Sequence, residues 1–216
     1  AANRTSSSSR PGNTQSLLRA HSIGFAYPDR QEPVLAGCNL DIGHGARLVV
    51  EGLSGSGKST LAAVVAGLRR PTSRLVLLDA LALQTLGLEE WRRRVVLVPQ
   101  LHQNHMMLGP LAFNLLMGVQ WPPGPGDLDR AAAVCRELGL GSLLDRMPGG
   151  LMQMVGETGW QLSQGEQARV FVARGLLQNP RLLILDESLS QLDPPTADLV
   201  LGAISKRPNA VLLVSH

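Results

Sequence analysis

The sequence predicts an α/β fold built on a mainly parallel sheet, and three observations lead there. Four short runs, residues 47–51 (RLVVE), 95–98 (VVLV), 182–185 (LLIL) and 211–214 (VLLV), carry unbroken apolar stretches, as strands covered on both faces by helices must. Helical segments alternate with them, the pattern of a parallel sheet wrapped by helices. Between residues 111 and 147 the strand pattern vanishes, and helical stretches such as 127–140, after the turn-rich PPGPG of 122–126, mark a helical insert in that core.

The elements follow in order. A chain of 216 residues, 44% of them apolar, can bury one α/β core and a small attached lobe. Residues 1–15 hold a four-serine run, Pro11 and Gly12 with little to bury, the composition of a flexible linker, so folding is expected to begin near Ser16. Two strand-like runs, 22–27 and 34–42, precede the alternating part. Cys38 and Cys135 are the only cysteines, too few for a disulfide framework and suited to a reducing, cytoplasmic compartment. The net charge of +3 comes from 18 Arg and 2 Lys spread along the chain, without the basic block that a nucleic-acid partner would call for. No run approaches the roughly 18 apolar residues of a membrane span, and no signal-peptide order stands at the start. Any link to a membrane is therefore expected through another domain or subunit.

Each of the four apolar runs leads directly into polar or phosphate-binding residues: the loop after residue 51, Gln100, Asp186 with Glu187, and His216. Ligands of open parallel sheets bind beyond the carboxyl ends of the strands, so these positions are expected to converge. Gly52, Leu53, Ser54, Gly55, Ser56, Gly57, Lys58, Ser59 and Thr60 match the phosphate-loop pattern G-x-x-x-x-G-K-[ST] between a predicted strand and a helical run at 61–68, the context that separates it from an ordinary Gly/Ser turn. Glycines let successive N–H groups turn toward phosphate oxygens, and the helix adds its positive end. Lys58 is suited to the β- and γ-phosphates, and Ser59 to Mg²⁺. At the end of the LLIL strand Asp186 suits the Mg²⁺ shell and Glu187 the group that orients or deprotonates the attacking water. Two carboxylates as a plain strand-end cap would be costly without a cation or donors.

A second anion site is predicted at Ser163, Gln164, Gly165 and Glu166, before a helical run at 167–177. Ser163 and Glu166 have the spacing of a capping box, which alone would account for them. A hydroxyl and an uncluttered glycine at a helix start also make a phosphate site.

Together these residues resemble the ATP-binding-cassette (ABC) ATPases over 16–216. Residues 52–60 are similar to the family's Walker A loop, Gln100 to its Q-loop, 162–166 (LSQGE) to its signature motif, 182–187 to its Walker B, 190–193 (SQLD) to its D-loop and His216 to its switch histidine. The resemblance implies a P-loop NTPase core, a small N-terminal antiparallel β subdomain, and a helical subdomain of about 105–165 between Q-loop and signature. It implies ATP and Mg²⁺ as cofactors, with Ser59, Gln100 and Asp186 toward the metal, and Tyr27, about thirty residues before Lys58, stacked on adenine. Glu187 and His216 become the catalytic pair. A head-to-tail dimer is implied, in which the signature of one domain closes on ATP held by the other, coupled to a membrane domain of the same or a partner chain at the cytoplasmic face of the membrane.

Several positions depart from the pattern. Gln164 and Glu166 replace the first glycine and the glutamine of LSGGQ, Arg74 stands where a glycine is usual, and Pro194-Pro195 follows the D-loop. The family's sequence normally continues past the switch histidine, so a truncated C-terminal end is expected. MVGETG at 154–159, and 106–118 with Phe113-Asn114 in place of Glu-Asn, resemble exporter segments and favour an exporter. Importer ATPase subunits and the non-transport ABC ATPases of DNA repair and translation are the alternatives.

Overall fold

The computed structural model describes residues 16–29, 32–72 and 75–215. The linker predicted at 1–15, Arg74 and His216 lie outside them. Strand β1 (Ser16–Phe25) pairs antiparallel with β2 (Leu35–Gly43). β1 begins six residues before the predicted run because a bulge breaks its alternation: Ser22 takes φ 51° and its N–H is received by Asn39 Oδ1 at 2.8 Å, so period-two patterning holds on only one side of it. β3 (Arg47–Val50) leads through the loop to α1 (Lys58–Val65). β4 (Val76–Leu78) and β5 (Leu81–Ala82), absent from the sequence reading, form a hairpin through Asp79 and Ala80 at φ 49° and 63°. Two positive φ values usually announce themselves by Asn-Gly or Asp-Gly; alanine hides this turn. Asp79 is held by Arg94 and Arg181.

Two short helices follow, α2 (Leu83–Leu86) and α3 (Leu88–Arg94), then β6 (Val95–Val98). The insert holds β7 (Gly109–Pro110), α4 (Leu111–Leu116), α5 (Asp127–Glu137), α6 (Gly141–Arg146) and β8 (Met154–Val155). The predicted helix 127–140 ends earlier, because Gly139 takes φ 72° and lets the chain turn. Helix α7 (Gln164–Leu177), β9 (Leu182–Asp186), α8 (Pro194–Ser205) and β10 (Ala210–Val214) complete the described chain. Pro194-Pro195 has a local reason: both prolines occupy the first turn of α8, after Asp193, whose carboxylate accepts from Thr196 N at 3.2 Å, where a missing N–H is harmless.

The four predicted core strands do assemble into one sheet, in the order β3-β10-β9-β6, with β10 parallel to both β3 and β9. A second sheet, β2-β1-β4-β5, is antiparallel. The described residues fall into two compact units. One runs up to Leu97 and includes Pro180–Asp186 and the stretch from Pro208 onward. It buries an apolar core in which Leu18, Ile23, Leu78, Val65, Trp91, Ile184 and Leu212 meet.

The other unit holds Val98–Asn179 and Glu187–Arg207, with α7 packed on α4 and α5. Fully buried Asn114 organises its interior. The side chain exchanges two hydrogen bonds with the Met107 backbone, each 2.8 Å, and accepts from Arg174 Nη2 at 3.2 Å. Arg174 also donates to Asn114 O at 2.6 Å and Asn104 Oδ1 at 3.1 Å, and burial pulls its pKa down to about 10. Asn114→Ala strands these groups, so a loss of about 2–4 kcal/mol is expected in denaturant unfolding. An unchanged midpoint would mean that water takes over their bonds.

Candidate nucleotide site

The first unit builds the phosphate loop. Strand β3 ends at Val50 and the loop returns to α1 at Lys58. Gly57, at φ 91°, is the helix N-cap and brings no side-chain cap. A Cβ there would meet Val34 O at 3.0 Å and Leu35 Cδ2 at 3.1 Å, so glycine is required by both dihedral and space. The first turn of α1 thus points backbone N–H groups at whatever anion the loop holds. Lys58 is buried, and its Nζ donates to Gly52 O at 2.6 Å and Leu53 O at 3.1 Å, while the Ser56 N–H donates to Leu53 O at 3.2 Å and closes the turn through Ser54 and Gly55. Leu53 through Ser56 are exposed.

Ser59 Oγ donates to Asp186 Oδ1 at 3.1 Å across 127 residues of chain. Asp186 is buried at the end of β9. A hydroxyl and a carboxylate oxygen at this separation are the hard donors Mg²⁺ takes from protein when phosphates and waters complete its shell, so the pair fits that ion. Among the described residues no group of three or more His, Cys, Asp or Glu forms a metal cluster.

Tyr27 belongs to the same unit. Its hydroxyl and Thr60 Oγ1 are hydrogen-bonded at 3.2 Å, its ring meets Phe25 edge-to-face at 5.0 Å, and the Arg69 guanidinium lies 4.7 Å from its centroid. Tyr27 is therefore tied to the phosphate loop itself. Arg69 was missed by sequence reasoning, because nothing local links it to a tyrosine 42 positions earlier.

The second unit carries Gln100, Glu187 and the signature. Glu187, the residue after Asp186, takes the left-handed φ of 47°, a strained geometry of the kind that collects at functional positions. Gln100, His102, Gln164, Gln167 and Glu187 line a cavity of about 470 Å³, so three of the predicted residues do come together there. His102 and Gln167 were not foreseen. At α7 the capping box is complete: Ser163 Oγ accepts from Glu166 N at 3.2 Å and Glu166 Oε2 accepts from Ser163 N at 2.8 Å. Burial pushes the Glu166 pKa up, but the bonds from Ser163 and Arg146 outweigh it and hold the carboxyl below its usual value. A Cβ at Gly165 would make only ordinary contacts, with Leu192 Cδ2 at 3.7 Å and Gln191 O at 3.8 Å. In the MVGETG segment Gly156, at φ 109°, would drive a Cβ to 2.9 Å from Leu108 Cα, so its glycine shapes the loop.

A loop whose backbone carbonyls hold a lysine, and a helix-start hydroxyl set against a strand-end carboxylate, have the chemistry that nucleotide phosphates call for, and the fold around them is that of a P-loop nucleotide-binding domain. The chain belongs to the ABC transporter family, whose profile matches residues 35–190. It is 31% identical over 217 residues to an ATP-dependent lipid A-core flippase of Thiobacillus denitrificans, covering 100% of this chain and 37% of that protein. It is 36% identical over 191 residues to the ABC multidrug transporter mdr4 of Aspergillus fumigatus, covering 85% of this chain and 14% of that one. The structure of a bacterial Atm1-family ABC exporter with ATP bound superposes with a TM-score of 0.82 at 27% identity, over 94% of this chain and 35% of the other. The chain thus spans little more than a third of the flippase and a smaller part of the multidrug transporter.

Proposed function

We propose that this chain is the ATP-binding and ATP-hydrolysing motor domain of an ABC exporter, with residues 16–216 forming the ATPase domain and about 105–165 its helical part. The observation that carries the reading is the Ser59–Asp186 pair at the head of a helix whose first residue, Lys58, fills the loop. Lys58 and the loop N–H groups would bind the β- and γ-phosphates, and Tyr27 would stack on adenine. Ser59 and Asp186, with Gln100, would hold Mg²⁺, which when bound offsets the charge of the phosphates. Glu187 would orient the attacking water and receive its proton, with His216 assisting. Two such domains would pair head to tail, with Ser163, Gln164, Gly165 and Glu166 of each meeting the γ-phosphate held by the other. Release of that phosphate removes the contact and opens the pair, a movement a membrane domain can use.

Relatives named as a flippase, a multidrug transporter and an exporter support the transport part, and the domain would work at the cytoplasmic face of a membrane. No helix among the described residues is long and apolar enough to cross a membrane, so the membrane domain would be a separate domain or subunit. The distributed arginines give no reason to expect a nucleic-acid partner. MgATP turnover by the natural full-length polypeptide is the primary test. A second cassette or a long coiled coil there, in place of membrane spans, would overturn the transporter reading. Tyr27→Ala is expected to weaken MgATP binding by about 1–3 kcal/mol, the usual worth of a stacked base. Unchanged affinity with a lower melting temperature would make Tyr27 a packing residue.

A further inference from the structure

The acid in the signature helix poses an electrostatic problem, because a carboxylate at a phosphate-binding helix start repels its ligand. The positive end of a helix is worth roughly +0.5 elementary charge, so a bare Glu166 would turn the start of α7 net negative. Glu166 is not bare. Its Oε1 accepts from Arg146 Nη2 at 2.6 Å while its Oε2 accepts from the Ser163 backbone. Arg146 is the last residue of α6 and lies 20 positions before Glu166. The pair is partly solvated, with side-chain exposures of 60% for Arg146 and 15% for Glu166, and such pairs add little to stability. The capping box closes between Ser163 and Glu166 without Arg146.

We propose that Arg146 is a positioning residue of the signature: it neutralises the carboxylate that the capping box already holds against the N-cap, so that Ser163 and Gly165 meet an incoming polyphosphate from a helix start of net positive charge. The inference rests on the reading of α7 as the site for the partner domain's γ-phosphate. It explains how LSQGE serves where the family uses LSGGQ. The residue to watch is therefore in the helical insert, outside every motif.

A charge cycle in the full-length polypeptide tests it, read as the MgATP concentration giving half-maximal hydrolysis and as ATP-dependent pairing. Arg146→Ala should raise that concentration about tenfold, the scale of one uncompensated charge a few ångströms from a polyphosphate in a partly solvated interface. Arg146→Lys should recover most of the loss. Glu166→Gln, which keeps the capping box and frees the arginine, should shift the response the opposite way. The double variant Arg146→Ala, Glu166→Gln should return to within a few-fold of wild type. Wild-type behaviour of Arg146→Ala overturns the proposal, and so does a double variant as impaired as Arg146→Ala, which would make the arginine a mechanical tether. Ser163→Arg separates the two layers: if it leaves hydrolysis and pairing intact, α7 binds no phosphate and both readings fall. If it abolishes them while the charge cycle is flat, only the role of Arg146 is lost.

Discussion

Glu187→Gln is expected to lower MgATP hydrolysis by about 10²–10⁴-fold, the range that a positioned base contributes, while nucleotide affinity stays at the wild-type level. The change removes a negative charge and keeps the shape, so the left-handed backbone at φ 47° is undisturbed. Glu187 lines the cavity it shares with Gln100 and Gln164, and the amide left in its place can hold a water but cannot take its proton. Binding and chemistry then separate: ATP loads and is not consumed. In the dimer reading the variant should accumulate as an ATP-dependent pair on size exclusion, and Ser163→Arg in the same background should disperse it. A variant that hydrolyses at the wild-type rate would remove Glu187 from the catalytic role. One that stays monomeric in saturating MgATP would sink the head-to-tail closure.

Lys58→Ala should act earlier, weakening MgATP binding by an order of magnitude or more and taking turnover below detection. An ammonium has three donors, and Lys58 spends two on Gly52 O and Leu53 O. The side chain therefore shapes the loop and also supplies the buried positive charge at its centre. Arginine is a poor replacement, since its planar fork cannot occupy the place of a compact point charge. Titration with a fluorescent ATP analogue, alongside a check by circular dichroism that the variant folds, measures the effect. Unchanged affinity and turnover in a folded Lys58→Ala protein would refute the phosphate assignment.

Much of the core was legible because its signals are local. A strand buried on both faces has few acceptable residues, so β6 is recovered at its exact ends and β9 and β10 to within a residue. The start of α7 was legible for the same reason: a capping box is a contact between residues three apart. Where local signals were absent the reading fell short. The β4–β5 hairpin turns on Asp79-Ala80 without a glycine, and the bulge at Ser22 disguises half of β1. The turn at Gly139 ends α5 at Glu137, short of the 140 that the pattern suggests.

The sequence by itself determined the α/β class and the parallel strands, through apolar runs that alternate with helical segments, and the phosphate-loop motif with its lysine, which residues 52–60 encode locally. Only the tertiary structure decided the strand order β3-β10-β9-β6, the meeting of Ser59 with Asp186, the tie between Tyr27 and Thr60, and the pairing of Glu166 with Arg146. These contacts join residues 20 to 127 positions apart. Their geometry is set by how the strands stack and the helices pack, which no short-range pattern of residue types records.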